Sequence, residues 1–359
     1  MALKRLLVAL MTLSVVLSFT GCGSNVVSDK PASSNNEKGN NAKYSIVTTI
    51  FPEYDWVKEV LGDKADNFDV TMLLDNGVDL HSFQPTTDDM MKIADCDLFI
   101  YVGGESDGWV EDALSEATNK DMKVINLLDT LGTSIKEEEV VEGMQEEDEH
   151  DHEAGEAGVE TEPEEAEDAD EHDHEDEEEG PEYDEHVWLS LKNAEALIPV
   201  IADNIAAIDS ENKDSYMSNA NAYLEKLGDL DTEYQQAVSS ASKDTILFGD
   251  RFPFRYLVDD YNIKYYAALV GCSAETEASF ETIVFLSKKV DELKLNNVLT
   301  IEKNDGKIAK TIIENTSSKD QKVLSMDSMQ GTTLEDVNQG ASYIDIMTKN
   351  LDVLKEALQ

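Results

Sequence analysis

From Tyr44 onward, short apolar or β-branched runs alternate with amphipathic helical runs, and this order leaves few folds open. YSIVTTIF, FDVTMLLD, DLFIYVGG and MKVINLLD read as strands. PEYDWVKEVLG, TTDDMMKIADC and WVEDALSEAT read as the helices between them, with Gly62 a stop and Thr87 and its acidic neighbours a start. A second series follows, with DTILFGD, IKYYAAL, NNVLTIE and QKVLSMD as strands. PFRYLVDDYN, SFETIVFLSKKVDELK and GKIAKTIIENT are its helices, and a last helix runs from about Gly340 to Leu358. Between the two series, Tyr216, Ala220, Tyr223, Leu227, Leu230, Tyr234 and Ala237 recur in steps of four and three. They predict one helix of roughly 30 residues, about 45 Å long. The expected fold is therefore α/β: two lobes, each a mostly parallel sheet flanked by helices, joined by a long rigid spine helix. In such sheets ligands bind beyond the carboxyl ends of the strands.

Charge divides the chain further. Its formal net charge is −49, and 28 of its 77 Asp and Glu lie between Glu137 and Glu185, where there is no Lys or Arg. So large a negative charge argues against nucleic acid as a partner. The self-repelling run predicts a disordered insertion over residues 137–183. The other end of the chain reads as an address. Lys4 and Arg5 precede an apolar run to Phe19, too short to span a bilayer comfortably and shaped like a signal peptide. Thr20-Gly21-Cys22 resembles a bacterial lipobox, which implies lipidation at Cys22. A tether rich in Ser, Asn, Gly and Lys follows. The expected organisation is a signal peptide at 1–21, a tether at 22–43, a first lobe at 44–210, a linking helix at 211–241 and a second lobe at 242–359. Such a chain would sit on the outer face of the cytoplasmic membrane, held by its lipid anchor.

The six histidines fall into two groups. His150 and His152, and again His172 and His174, lie in two copies of the pentad EHDHE within the acidic run. Paired imidazoles among carboxylates can collect metal weakly without a preformed fold; the alternative is a solvated polyacid. His81, in LLDNGVDLHSFQPTTDD, and His186, in DEHVWLSLKNA, each stand ahead of a predicted helix at a sheet edge. Alone, either could be a cap or a half-buried residue. Together, two neutral imidazoles on converging loops suit a divalent transition metal. Cys96 and Cys272 lie in apolar contexts, as small core residues or as a bridge between lobes. No H-E-x-x-H or serine-nucleophile motif points to an enzyme, and no phosphate-cradling P-loop is present.

HSFQPT, HVWL, the Cys22 motif and the spine helix together resemble the metal-binding lipoproteins of bacterial ABC importers for zinc and manganese, over about Tyr44 to the C-terminus. That resemblance implies a monomer that captures Zn²⁺ or Mn²⁺ between its lobes and delivers it to a permease with its ATPase. His81 and His186 occupy the positions of the family's ligand histidines. The family usually has proline before each, where Leu80 and Glu185 stand here. In the second lobe the family places a His or Glu before an aromatic-rich helix start. LFGDRFPFRYLVDDYN has no histidine there, which makes Asp250 the candidate; the fourth ligand is a carboxylate or water, with Glu275 favoured among Glu275, Glu277, Glu302 and Asp305. The histidine-bearing acidic run favours zinc. A surface metal buffer or adhesin lipoprotein is the alternative.

Overall fold

The computed structural model describes residues 43–145, 182–273 and 276–359. Strands β1 (Tyr44–Thr48), β2 (Phe68–Met72), β3 (Leu98–Tyr101) and β4 (Lys123–Asn126) form a parallel sheet in the order β2-β1-β3-β4. Strands β5 (Thr245–Phe252), β6 (Lys264–Val270), β7 (Asn297–Ile301) and β8 (Lys322–Met326) form a second one in the matching order β6-β5-β7-β8. All eight strands fall where the sequence pattern places them. The central strands are apolar on both faces, as a sheet covered by helices requires; Leu98, Phe99 and Ile100 are wholly buried.

The helices of the first half are α1 (Phe51–Leu61), α2 (Thr87–Asp95), α3 (Val110–Ser115), α4 (Leu127–Leu131) and α5 (Leu191–Ile208). Helix α2 starts at a capping box: Thr86 Oγ1 accepts from the Asp89 N–H at 3.2 Å, and the Asp89 carboxylate accepts from the Thr86 N–H at 2.9 Å. The spine is α6, Lys213–Ser240, 28 residues long. The helices of the second half are α7 (Arg255–Tyr261), α8 (Phe280–Leu293), α9 (Lys307–Asn315), α10 (Leu334–Asn338) and α11 (Tyr343–Ala357).

The spine buries the residues its periodicity selects, Tyr216, Ala220, Tyr223, Leu227, Leu230 and Tyr234, with Ala237 half-buried near its end. Its tyrosines reach both halves. Tyr223 Oη lies 3.4 Å from the Asp55 carboxylate on α1, and Tyr234 donates to the Met347 carbonyl on α11 at 2.6 Å. Helix α11 ties back to the first half as well: the Tyr343 N–H donates to Asp55, and its hydroxyl to the Trp188 carbonyl at 2.7 Å. One apolar core therefore runs from Ile46 to Leu358 through both lobes, and a smaller one lies under α8 and α9. A continuous core resists large relative motion of the lobes.

The acidic run stays within the fold further than its composition predicts. Glu137 bridges Tyr183, and the Gln145 N–H donates to the Ala268 carbonyl beside edge strand β6. Glu139 pairs with Arg255 at 3.0 Å and accepts from Tyr265 at 3.0 Å. Local charge is thus answered by cations and donors of the second lobe, which composition alone does not register. His150, His152, His172 and His174 lie outside the described residues, as do the signal peptide, Cys22 and most of the tether. Among the described residues no helix is long and apolar enough to cross a membrane.

Candidate metal centre

His81 stands in a single 3-10 turn, Leu80–Ser82, on the connection leaving β2. Asp79 starts that turn by accepting from the His81 N–H at 3.1 Å, and Leu80 is buried beneath it. His186 precedes a second 3-10 turn, Val187–Leu189, whose three side chains are completely buried. Trp188 anchors that turn to the second lobe by donating from Nε1 to the Ser328 carbonyl at 2.9 Å. Burial of V-W-L thus carries the adjoining imidazole into the interior, where His186 has no exposed surface.

The two rings meet by their Nε2 atoms, 3.3 Å apart, and each Nδ1 faces an acceptor. His186 Nδ1 lies 3.1 Å from Asp184 Oδ1, which also accepts from the His186 N–H at 2.8 Å. His81 Nδ1 lies 2.7 Å from Ser106 Oγ and 3.5 Å from Glu185 Oε2. Acceptors at Nδ1 suit a proton there once a metal takes Nε2. Without a metal the two Nε2 atoms stand at hydrogen-bond distance, one donating to the other. A tetrahedral ion with metal–nitrogen bonds of about 2.0–2.1 Å holds two nitrogens about 3.4 Å apart, which these rings match. Burial, with His186 and the Arg251 charge acting the same way, pushes the His81 pKa down to about 3. Its imidazole is therefore the free base that a metal requires.

The residue before each histidine has its own part. Glu185 Oε1 accepts from the Ser106 N–H at 2.9 Å, while Oε2 meets no hydrogen-bond donor among the described residues. Burial raises its pKa. Gly104, at φ +84°, is required here, because a Cβ would strike the Glu185 carboxylate. Glu185 thus fixes the turn that bears Ser106, and through it the His81 ring.

The opposite wall comes from the second lobe. Arg251 Nη2 bonds Asp79 Oδ2 at 2.8 Å, an ion pair between lobes. The buried Gln330 amide donates from its nitrogen to Asp79 at 2.7 and 2.9 Å, and its oxygen accepts from His186 Nε2 at 2.8 Å, a bond that a metal at Nε2 would replace. Asp79, His81, Arg251 and Cys272 line a cleft of about 770 Å³.

Of the expected ligands, His81 and His186 are brought together, and Asp250 lines the same cleft as His81 with its carboxylate engaged by its own lobe. Its carboxylate is buried in the second lobe, where Oδ2 accepts from Thr300 Oγ1 and from the Ile301 N–H at 3.0 Å. Its Oδ1 accepts from Asn304 at 3.0 Å and from the Arg251 N–H at 2.9 Å. Four donors turn Asp250 toward β7 and its connection. Glu275 lies outside the described residues.

Beside the two histidines the fold presents Cys272. Among the described residues, His81, His186 and Cys272 offer nitrogen and sulfur atoms that all lie within 4.8 Å of one another. Both described cysteines are free: Cys96 is buried near Met122, and Cys272 is half-buried in the cleft. There is no bridge between lobes, and Cys272 is not the core residue that its apolar neighbours imply. Burial, aided by Glu138, Asp184 and Glu185, pushes its thiol up, so that it keeps its proton without a metal. Sequence reading missed Cys272, Gln330, Ser106 and the Arg251–Asp79 pair. Repeat symmetry is the signal for the first, since Cys272 leaves β6 as His81 leaves β2 and these strands occupy equivalent places in their sheets.

Comparison with known proteins agrees with this architecture. The family model of ZnuA, zinc-uptake complex component A, periplasmic, matches residues 46–357. The zinc-binding lipoprotein AdcA of Streptococcus pneumoniae is 31% identical over 323 residues, 89% of this chain; the chain spans only 57% of that relative's length. The high-affinity zinc uptake system protein ZnuA of Bacillus subtilis is 30% identical over 316 residues, 88% of each chain. Among solved structures, the Zn(II)-bound ZnuA-like domain of S. pneumoniae AdcA superposes with a TM-score of 0.63 at 26% identity, covering 88% of this chain and 99% of that one. The metal-dependent lipoprotein YcdH of B. subtilis gives 0.66 at 26% identity, covering 88% and 100%. None of these names describes an enzyme, and with the match running from the first strand to the last helix, the chain belongs to the ZnuA family of periplasmic zinc-uptake components.

Proposed function

We propose that this protein is an extracytoplasmic solute-binding lipoprotein that captures zinc between its lobes and delivers it to an ABC permease with its ATPase. The observation that carries the reading is the pair of buried imidazoles whose Nε2 atoms converge to 3.3 Å, each held at Nδ1 by an acceptor. His81 and His186 are its first-lobe ligands. Names of the relatives favour zinc over manganese. Lipidation of Cys22 anchors the chain to the outer face of the membrane, and the EHDHE histidines collect metal at low affinity. The spine α6 and the shared core keep closure small, so release falls to the permease, which must separate the lobes or a ligand loop.

Calorimetric titration of the full chain with zinc and with manganese tests this. The comparison is with a variant carrying Gln at His150, His152, His172 and His174, and with His81→Ala/His186→Ala. One tight zinc site is expected in the first two and is lost in the third. A four-ligand structural zinc site contributes about 10–16 kcal/mol, so loss of each histidine should cost on the order of 100-fold in affinity. Tight binding that survives the double substitution and disappears with the four Gln changes would make the protein a surface metal buffer instead.

A further inference from the structure

We propose that Cys272 is the second lobe's ligand to the captured ion, completing a set of two imidazoles and one thiolate with His81 and His186; this rests on the capture reading above. The first support is proximity, since the three donor atoms lie within 4.8 Å of one another. A tetrahedral zinc with bonds of about 2.3 Å to sulfur and 2.0 Å to nitrogen sets sulfur and nitrogen about 3.5 Å apart. Rotation of the thiol about χ1, or a closing shift of about an ångström, therefore completes the set.

The turn that bears Cys272 is built for this approach. A Cβ on Gly271 would lie 2.9 Å from the Phe252 carbonyl oxygen and 3.1 Å from His186 Cε1. Glycine lets the backbone come against the His186 ring and brings the next side chain to the site. Architecture adds a second argument. The sheets share one strand order, and β6 stands outside β5 as β2 stands outside β1. The loops leaving these two strands carry Cys272 and His81, so each half of the molecule contributes a donor from the same place in its fold.

Competition among the described residues adds a third. Capture between lobes requires a donor from the second lobe, where Asp250 is engaged by four donors of its own lobe, Glu277 and Asp305 by Lys307, and Glu302 by Ser328. Arg251 faces the cleft as a cation paired with Asp79. Cys272 is reduced and half-buried, and it opens on the same cleft. On binding, the thiol gives one proton to the solvent as the sulfur–metal bond forms, with no change of oxidation state. Thiolate is a soft ligand that suits zinc, whereas manganese is held better by carboxylate and water. The substitution of sulfur for oxygen in the second lobe thus makes this centre selective for zinc.

Cobalt(II), titrated into the full chain, is the probe. A sulfur-to-cobalt charge-transfer band in the near ultraviolet is expected, present in Cys96→Ser and absent in Cys272→Ser. Cys272→Ser should bind zinc roughly 100-fold more weakly while losing little manganese affinity. The wild-type spectrum needs no variant to fold and so stands by itself. Cobalt bound tightly and lost in His81→Ala, but with no sulfur band, would overturn the assignment of Cys272 and leave the capture reading intact. Cobalt and zinc binding unaffected by His81→Ala would overturn both.

Discussion

In the first lobe, the order β2-β1-β3-β4 presents to the cleft two neutral imidazoles backed by carboxylates: Asp184 behind His186, and Glu185 behind His81. In the second lobe, the matching order β6-β5-β7-β8 presents Arg251, Cys272 and Gln330, with Lys303 and Lys307 at the rim. One topology thus carries two electrostatic characters. The first wall is preset for a cation, with an acceptor at each Nδ1. The second mixes Arg251, Lys303 and Lys307 with Asp250, Glu277 and Asp305, and those carboxylates are engaged within the lobe, Asp250 by four donors and Glu277 and Asp305 by Lys307. Topology decides where loops converge, and side-chain identity decides what the convergence can bind.

The acid backing of the first lobe continues behind the ligands. Burial, with the Glu185 charge adding, pushes the Asp107 pKa up to about 7. Glu53, completely buried, is also held well above its ordinary pKa, by burial and by Asp107. Asp107 ionises near 3.8 in the unfolded chain but keeps its proton to about 7 when folded. The folded state therefore loses stability as the pH rises from about 4 to about 7, and the loss is complete above that. Asp107→Asn removes the titration. In metal-free protein the variant should match the wild type near pH 4 and exceed it at pH 8 by up to about 4 kcal/mol, which urea unfolding at the two pH values would measure. Equal stability at pH 8 would mean that the acid backing costs the first lobe nothing, and the contrast between the walls would be weaker than described.

Asp250 provides the sharper test in the second lobe. Asp250→Asn turns an amide NH₂ toward donors and should cost about 1–3 kcal/mol of stability with zinc affinity unchanged. A large loss of zinc affinity in a variant that remains folded would restore Asp250 as a ligand and make the two walls alike. The smallest effect is expected at Arg251, whose charge already disfavours a proton on His81 and opposes a metal cation there in the same way. Arg251→Gln should tighten zinc binding by no more than about tenfold, read by calorimetry. Weaker binding would show that the Arg251–Asp79 link between lobes matters more than the repulsion.

Much of this molecule is legible in its sequence because its strands and helices are set by local periodicity. All eight strands, the spine and the terminal helix lie where alternation and the 3.6-residue repeat put them. The short helices α4 and α10 escape notice because five residues are too few to show a period. Helix α5 is anticipated only as something following His186, its pattern interrupted by Pro199. The acidic run is read as uniformly unstructured because composition cannot reveal that Glu139 has Arg255 and Tyr265 to meet.

By itself, then, the sequence determines the doubled α/β plan and singles out His81 and His186, because periodicity and short motifs are written in neighbouring residues. Tertiary structure alone decides that their nitrogens meet across 105 positions of chain, that Asp250 is claimed by Thr300 and Asn304, and that the Cys272 sulfur comes within 4.8 Å of the two imidazoles. A donor becomes a ligand only when its lone pair points at a shared centre and no nearer hydrogen-bond donor competes for it. Both conditions are set by residues far away in the chain.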